Sequence, residues 1–228
     1  MCGRYALITV GEDLARQLGL EDASVHAQAR YNIAPTQTVP VVAQHRQQRC
    51  VRMRWGLVPP WQKGDKNLRG FINARAETLA VRRAFYKPLR RYRCLVPADG
   101  FYEWQRQGAR RQAWFFFRRD RRPFVFAGIY TPGSGEEREL DGTMAIVTCA
   151  PNPLVSPIHD RMPVILGDEA RSVWLSAEDH PERLLALLRP FPAGEMDGHR
   201  VSDAVNSARR EGAELARPLP QAELQFHK

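Results

Sequence analysis

AWFFFRRDRRPFVFAGIYTPGSGEERELDGTMAIVTCA, residues 113–150, decides how the chain is built. Three stretches inside it, AWFFF (113–117), FVFAGIY (124–130) and TMAIVTCA (143–150), are dense in aromatic and β-branched residues and read as core strands. A Gly-rich polar turn, TPGSGEE from Thr131, separates the second from the third. Toward the amino terminus, CLVPADGFYEWQ (94–105) reads as strand, Asp-Gly turn, strand, and CVRMRW (50–55) alternates as a half-buried strand leading into GLVPPW. Pro35 and Pro40 in YNIAPTQTVPVV (31–42) exclude helix there, and RYALI (4–8) reads as a further strand.

Helical patterns lie between and after these runs. GEDLARQLG (11–19) is amphipathic and closed by Gly19; AETLAVRRAF (76–85), DEARSVWL opening at Asp168 and HPERLLALL (180–188) follow, with a short last strand near HRVS (199–202). Residues 217–228, with Pro218 and Pro220, read as a loose tail. Short antiparallel strands with peripheral helices define an α+β fold, read as one domain over residues 1–228. No Gly-rich phosphate loop is present, so a doubly wound nucleotide-binding fold is not expected.

The 228 residues carry 34 lysines and arginines against 25 acids, a net charge of +9. That balance points to a polyanionic partner, most often nucleic acid. The excess is almost all arginine, whose planar fork grips phosphate bidentately; a GC-rich genome would also favour arginine over lysine but would not set the net charge. No apolar run is long enough to span a bilayer and the start lacks a secretory h-region, so a cytoplasmic protein is expected. Cys2, Cys50, Cys94 and Cys149 lie far apart with no metal-ligand spacing, which argues against a zinc ribbon and a disulfide framework. No metal or cofactor is expected.

Four segments carry candidate chemistry. In FINARAETL (71–79), an extended chain puts Asn73, Arg75 and Glu77 on one face with Ala74 and Ala76 behind; a solvated strand face would look the same, though paired alanines suit a site wall. IHDRMPVIL (158–166) puts His159 and Arg161 on one face if extended; a lone histidine is more often structural than catalytic, a margin that the neighbouring arginine narrows. Glu103 lies between Tyr102 and Trp104, and partial desolvation there would raise its pKa toward neutrality; an exposed strand glutamate is the plainer reading. Trp55 and Trp61 flank a loop beside basic residues and are either core or stacking platforms for unstacked bases.

The fourth is Cys2 itself. Once Met1 is removed, Cys2 carries a free α-amine and a thiol on adjacent carbons. An α-amine is roughly a quarter neutral near pH 7.4, against about one part in a thousand for lysine. It can attack an aldehyde to give a Schiff base, on which the thiol closes a five-membered thiazolidine. An abasic site in DNA is an aldehyde flanked by phosphates, so the terminal chemistry and the arginine-rich charge converge on that substrate.

MCGRY, YNIAPTQ, RWGLVPPW, FINARAET, RCLVPADGFYEW, FAGIY, TMAIVTCAPN, IHDRMPVIL and VSDAVN occur in this order over residues 1 to about 206. In these stretches the chain resembles the SRAP (SOS response-associated peptidase) family of abasic-site processing proteins. The segment EGAELARPL (211–219) matches only loosely. The resemblance implies a curved, barrel-like core of mostly antiparallel strands. It also implies that Cys2, freed of Met1, crosslinks to an abasic site in single-stranded DNA. Asn73 would position the adduct, Glu103 would shuttle protons, and His159 would assist ring opening and reversal. Arg4, Arg75 and Arg161 would hold flanking phosphates, with Trp55 near displaced bases. The family name implies autoproteolytic exposure of Cys2, which a methionine aminopeptidase would equally achieve, and the Schiff base allows strand cleavage as a side reaction. A monomer is the simplest expectation, and protein partners at a replication fork are not specified. Two other functions use the same residues: a cysteine amidohydrolase with Cys2 as amino-terminal nucleophile, and a non-covalent single-strand binder.

Overall fold

The computed structural model describes residues 2–19, 28–43, 50–62, 69–108, 110–133 and 142–220. Most of the Gly-rich turn after Thr131, and the tail beyond residue 220, lie outside the described residues. In chain order the elements are β1 (Arg4–Leu7), α1 (Gly11–Leu18), β2 (Arg30–Ile33), β3 (Thr38–Ala43), β4 (Cys50–Trp55), β5 (Asn73–Arg75), α2 (Arg83–Arg91), β6 (Arg93–Ala98), β7 (Gly100–Gln107), β8 (Arg110–Arg118), β9 (Phe124–Thr131), β10 (Thr143–Cys149), β11 (Met162–Pro163), β12 (Ile165–Leu166), α3 (Asp168–Leu175), α4 (Pro181–Ala186) and β13 (Met196–Arg200).

Every residue of β9 is buried, as a strand must be when both of its faces are covered. It forms part of a closed ring, β10-β4-β3-β6-β9 and back to β10, in which β10–β4 is the one parallel pair. Closure removes the sheet edges, and α2 and α3 cover part of the outside against β6 and β9. β10 changes partners along its length. Thr143 and Met144 close the barrel against β4, whereas Ile146, Val147 and Thr148 run on parallel to β5, and Thr148 and Cys149 pair with β11. The barrel therefore opens along the second half of β10, and β5 brings Asn73 and Arg75 to that opening.

A second, antiparallel sheet runs β13-β8-β7-β1-β2. Each of its faces buries an apolar cluster. Tyr5, Leu7, Phe101 and Phe116 join the main core, while Ala6, Tyr102, Phe115 and Phe117 form a separate cluster under Val201 and Val205. The expected Asp-Gly turn at 99–100 is a corner between the two sheets and not a hairpin, because β6 pairs in the barrel and β7 in the second sheet. Asp99 fixes the corner: its carboxylate accepts the Ile8 N–H (2.6 Å), the Thr9 N–H (2.9 Å) and the Thr9 hydroxyl (2.6 Å). Gly100 follows because a Cβ there would lie 2.2 Å from the Phe115 ring.

The predicted helix at 76–85 is displaced. Ala76–Thr78 forms a single 3-10 turn, and α2 begins at Arg83, the register that buries Phe85, Pro88 and Leu89 on one face. At the foot of this helix Arg93 is fully buried, and its guanidinium donates to five backbone carbonyls: Leu89 (2.7 Å), Arg90 (2.8 Å), Trp174 (2.6 Å), Ser176 (2.8 Å) and Glu178 (2.7 Å). Arg93 thus ties the open carbonyls at the ends of α2 and α3 to one side chain. Among the described residues no helix is long and apolar enough to cross a membrane.

Candidate functional site

β1 starts beside β7, with Arg4 opposite Tyr102, so the residues just before Arg4 reach the barrel opening where β5 lies. Cys2 is fully buried there. The Asn73 side chain donates its Nδ2–H to the Cys2 carbonyl at 2.9 Å, which pins the main chain next to the thiol. Asn73 Oδ1 is buried without a hydrogen-bond partner among the described residues, an acceptor left over at the same point. Ala74 and Ala76 are buried behind Asn73 and Arg75.

Glu103 is 2% exposed. Side chains alternate along a strand, so its neighbours Tyr102 and Trp104 point to the opposite face of β7, and its desolvation comes from the barrel side. Burial raises its pKa to about 7, against which the positive charge of the amino terminus acts. His159 Nε2 lies 3.7 Å from Glu103 Oε2. Desolvation also holds His159 below its ordinary pKa, so near pH 7 a largely neutral imidazole faces a carboxyl close to half protonation. His159 Nδ1 is 3.0 Å from the Arg161 N–H and 3.0 Å from Asp160 Oδ1, which anchors the ring from the other side.

Burial pushes the Cys2 thiol well above its usual pKa, and the Glu103 charge raises it further. The sulphur is therefore held as S–H and not as thiolate. Cys2, Asn73, Glu103 and His159 form one constellation assembled from β5, β7 and two loops.

The predicted phosphate ligands separate. Arg75 is exposed at the barrel mouth. Arg161 does not extend alongside His159: its guanidinium turns to grip Glu77 bidentately (2.7 and 2.8 Å) and donates to the Thr148 carbonyl (2.7 Å). That fork holds the Glu77 carboxyl below the usual range. Arg4 is half-buried and donates to Asn32 Oδ1 (2.7 Å), to the Val205 carbonyl and to the Asn206 carbonyl (3.0 Å). Arg4 therefore clamps the VSDAVN segment onto β1 and β2, helped by fully buried Asn32, which donates to the carbonyls of Ser207 and Arg210 at 2.9 Å each.

Trp55 requires a correction. It is fully buried, edge-on to Tyr5, and its indole N–H donates to the Ile72 carbonyl at 2.8 Å. No face of the ring is available to a base. The neighbouring loop is held instead by glycines at positive φ: Gly56 (137°) and Gly70 (71°) pass so close that a Cβ on either would strike the other segment's backbone. The sequence gives Trp104 no role beyond flanking Glu103, yet it lines an open groove of about 450 Å³ with Gly3, Arg4, Pro35, Arg111 and Asn206. Its indole N–H donates to Asn206 Oδ1 at 2.6 Å. Only the strand register places Trp104 and Arg4 on one face, and that register is set by contacts about a hundred positions apart in the chain.

The groove beside Cys2, lined by Gly3, Arg4 and Arg111, suits an anionic ligand. Residues 1–208 match the family described as SOS response associated peptidase (SRAP), and the chain belongs to that family. It is 38% identical over 220 residues to the abasic site processing protein YoqW of Bacillus subtilis, covering 94% of this chain and 98% of that one. It is 32% identical over 231 residues to the abasic site processing protein YedK of Escherichia coli, covering 96% and 100%. With the abasic site processing protein HMCES of Gallus gallus the identity is 33% over 266 residues, covering 96% and 78%. A crystal structure of a protein from Bacteroides thetaiotaomicron has a TM-score of 0.83 at 24% identity, covering 96% of this chain and all of that one, which speaks to the fold alone.

Proposed function

We propose that this chain processes abasic sites in single-stranded DNA by trapping the ring-opened sugar on Cys2 after Met1 is removed, by the chain itself or by a methionine aminopeptidase. The observation that carries the reading is Glu103, buried, brought to a pKa of about 7 and set 3.7 Å from His159 at the cysteine. Opening the hemiacetal breaks the C1′–O4′ bond, with a proton delivered to O4′ and another withdrawn from the C1′ hydroxyl. A protonated carboxyl beside a neutral imidazole supplies both.

The freed α-amine of Cys2 then adds to the C1′ aldehyde; the surplus proton on nitrogen returns Glu103 to the acid, and His159 gives its proton to the carbinolamine oxygen. The carbinolamine, protonated on oxygen by Glu103, loses one water to give the imine. The thiol closes the ring: sulphur bonds to C1′, and its proton ends on nitrogen by way of the Glu103 carboxylate. The Asn73 bond to the Cys2 carbonyl restrains the backbone during closure, and buried Asn73 Oδ1 is available to accept from the amine or from a sugar hydroxyl. Where closure fails, the same imine permits β-elimination, with a base taking the C2′ proton and the 3′ phosphate departing. Arg75 and the groove at Arg4, Trp104 and Arg111 are suited to the flanking phosphates and bases, while Arg161 must exchange Glu77 for phosphate to take part.

The thiol state weighs against the amidohydrolase alternative. An acyl-transfer cysteine needs an accessible thiolate, favoured by positive neighbours. Here burial and the Glu103 charge both oppose ionisation. The test is incubation of the Met1-processed protein with single-stranded DNA carrying one abasic site, followed by denaturing electrophoresis. A heat-stable adduct is expected with wild type and none with Cys2→Ala or with an amino-terminal tag that keeps Cys2 acylated. Equal DNA retention by wild type and Cys2→Ala, with no adduct from either, would reduce the protein to a non-covalent binder.

A further inference from the structure

The hairpin of β7 and β8 extends beyond the groove and carries Arg106, Arg110 and Arg111, all exposed. The strand register sets Arg106 directly opposite Arg111, and Gln107 opposite Arg110. Like charges facing each other across antiparallel strands repel. Among the described residues none of the three arginines forms an ion pair with a carboxylate. A hairpin shaped only for stability would place an acid opposite one of them.

The same register shows what the arginines adjoin. Tyr102, Trp104 and Arg106 share one face of β7, and the residues paired with them, Phe115, Ala113 and Arg111, share that face on β8; Arg4 joins it opposite Tyr102 on β1. Arg4, Trp104 and Arg111 line the groove, so Arg106 continues a stripe that starts beside Cys2 and ends at the hairpin tip. Arg106 stands about 7 Å beyond Trp104 along the strand. The Arg106 charge also reaches the pocket weakly: it is the smallest of the causes, behind desolvation and the amino terminus, that hold His159 low.

We propose that the β7–β8 hairpin is a phosphate-gripping arm that holds the single strand beyond the lesion on one side only. This rests on the reading that the Cys2 pocket takes abasic single-stranded DNA, and adds to it a direction along the strand. The Arg106 fork on the groove face and the Arg110 fork on the other face, beside the turn, hold neighbouring phosphodiesters as the strand passes round the hairpin tip, and Trp104 offers a ring to the base nearest the lesion. The contacts are to backbone, so the arm reads no sequence.

The test uses an Arg106→Gln/Arg110→Gln double variant with Arg111 and Trp104 intact. Non-covalent affinity is measured by fluorescence anisotropy for three ligands: a short oligonucleotide centred on a tetrahydrofuran abasic analogue, which has no aldehyde, and the same oligonucleotide lengthened on its 5′ or its 3′ side. Wild type should gain affinity from one extension more than from the other. The double variant should lose roughly tenfold on that extension alone, with the salt slope reduced by about 1.4, or ~0.7 per phosphate released. Its melting temperature should hold or rise, since Arg106 and Arg111 no longer repel. Equal gains in variant and wild type from both extensions would overturn the proposal, as would an equal loss on all three ligands or a lowered melting temperature. Adduct formation by wild type on the short oligonucleotide with a natural abasic site is scored separately. Its absence would defeat the Cys2 chemistry, whatever the extensions show.

Discussion

Arg93 and Glu103 are both ionisable side chains shut away from solvent, and their surroundings make opposite use of that burial. Arg93 meets five carbonyl oxygens with its five N–H donors, at the ends of two helices, so its charge is spread over bonds that also close those helices. Burial still lowers its pKa, to about 10, which leaves it charged at neutral pH. Glu103 has an imidazole 3.7 Å away and a thiol whose pKa its own charge raises, and its pKa rises to about 7. A buried charge held by many fixed dipoles builds structure. A buried charge brought to the edge of neutrality is poised to exchange protons.

The sharpest way to break this contrast is to neutralise each residue in turn. Glu103→Gln should lower the rate of adduct formation by roughly 10²–10⁴-fold, measured in single-turnover gels, while the fold survives. Arg93→Met should do the reverse. With the five carbonyls stranded it should cost about 3–5 kcal/mol in urea unfolding, with the adduct rate per folded molecule unchanged. If Glu103→Gln unfolded the protein, or Arg93→Met left it as stable as wild type, the two residues would have exchanged roles.

A smaller effect concerns pH. Glu103 has a native pKa raised from 4.5 to about 7, so between those values the native state binds the proton more tightly than the unfolded chain. Its contribution is therefore most favourable below about 4.5 and is lost as pH rises through 7, by roughly 3 kcal/mol in all. Wild-type stability should show this decline across pH 5–8 by chemical denaturation, and Glu103→Gln should show a flatter curve with greater stability above pH 7. An identical decline in the variant would place the titration elsewhere.

The tryptophans give the mildest test. Trp104→Ala should weaken binding to the single strand by about 1–3 kcal/mol, the worth of one base stack, as read by anisotropy. Trp55→Phe should leave that affinity unaltered and lose about 1 kcal/mol of stability with its bond to Ile72.

The same pair shows how far the sequence could be read. CVRMRW and DEARSVWL lie where their local patterns put them, as β4 (Cys50–Trp55) and α3 (Asp168–Leu175), because alternation and helical spacing are properties of neighbours. The α+β class and the barrel-like core implied by the resemblance are both seen in the closed ring. Whether a tryptophan beside arginines faces the core or a groove depends on strand pairing. Trp55 points inward, and Trp104 faces a groove completed by Arg4 and Asn206. The Asp-Gly corner escaped for the same reason: the residues of a turn do not say which sheet the next strand will join. For Glu103 the aromatic flanks suggested desolvation, yet Tyr102 and Trp104 lie on the far face, and the barrel provides it. The sequence does not show that the fold brings Glu77 against Arg161, a contact that the 3-10 turn at Ala76–Thr78 makes possible.

Intact-mass spectrometry of the processed protein after reaction with an abasic oligonucleotide is the most direct test of the Cys2 chemistry. The predicted species is the chain without Met1 plus the oligonucleotide, less one water, with fragmentation placing the sugar on Cys2 nitrogen and sulphur together. An adduct that retains Met1, forms with Cys2→Ala, or maps to a lysine or an internal cysteine would contradict it.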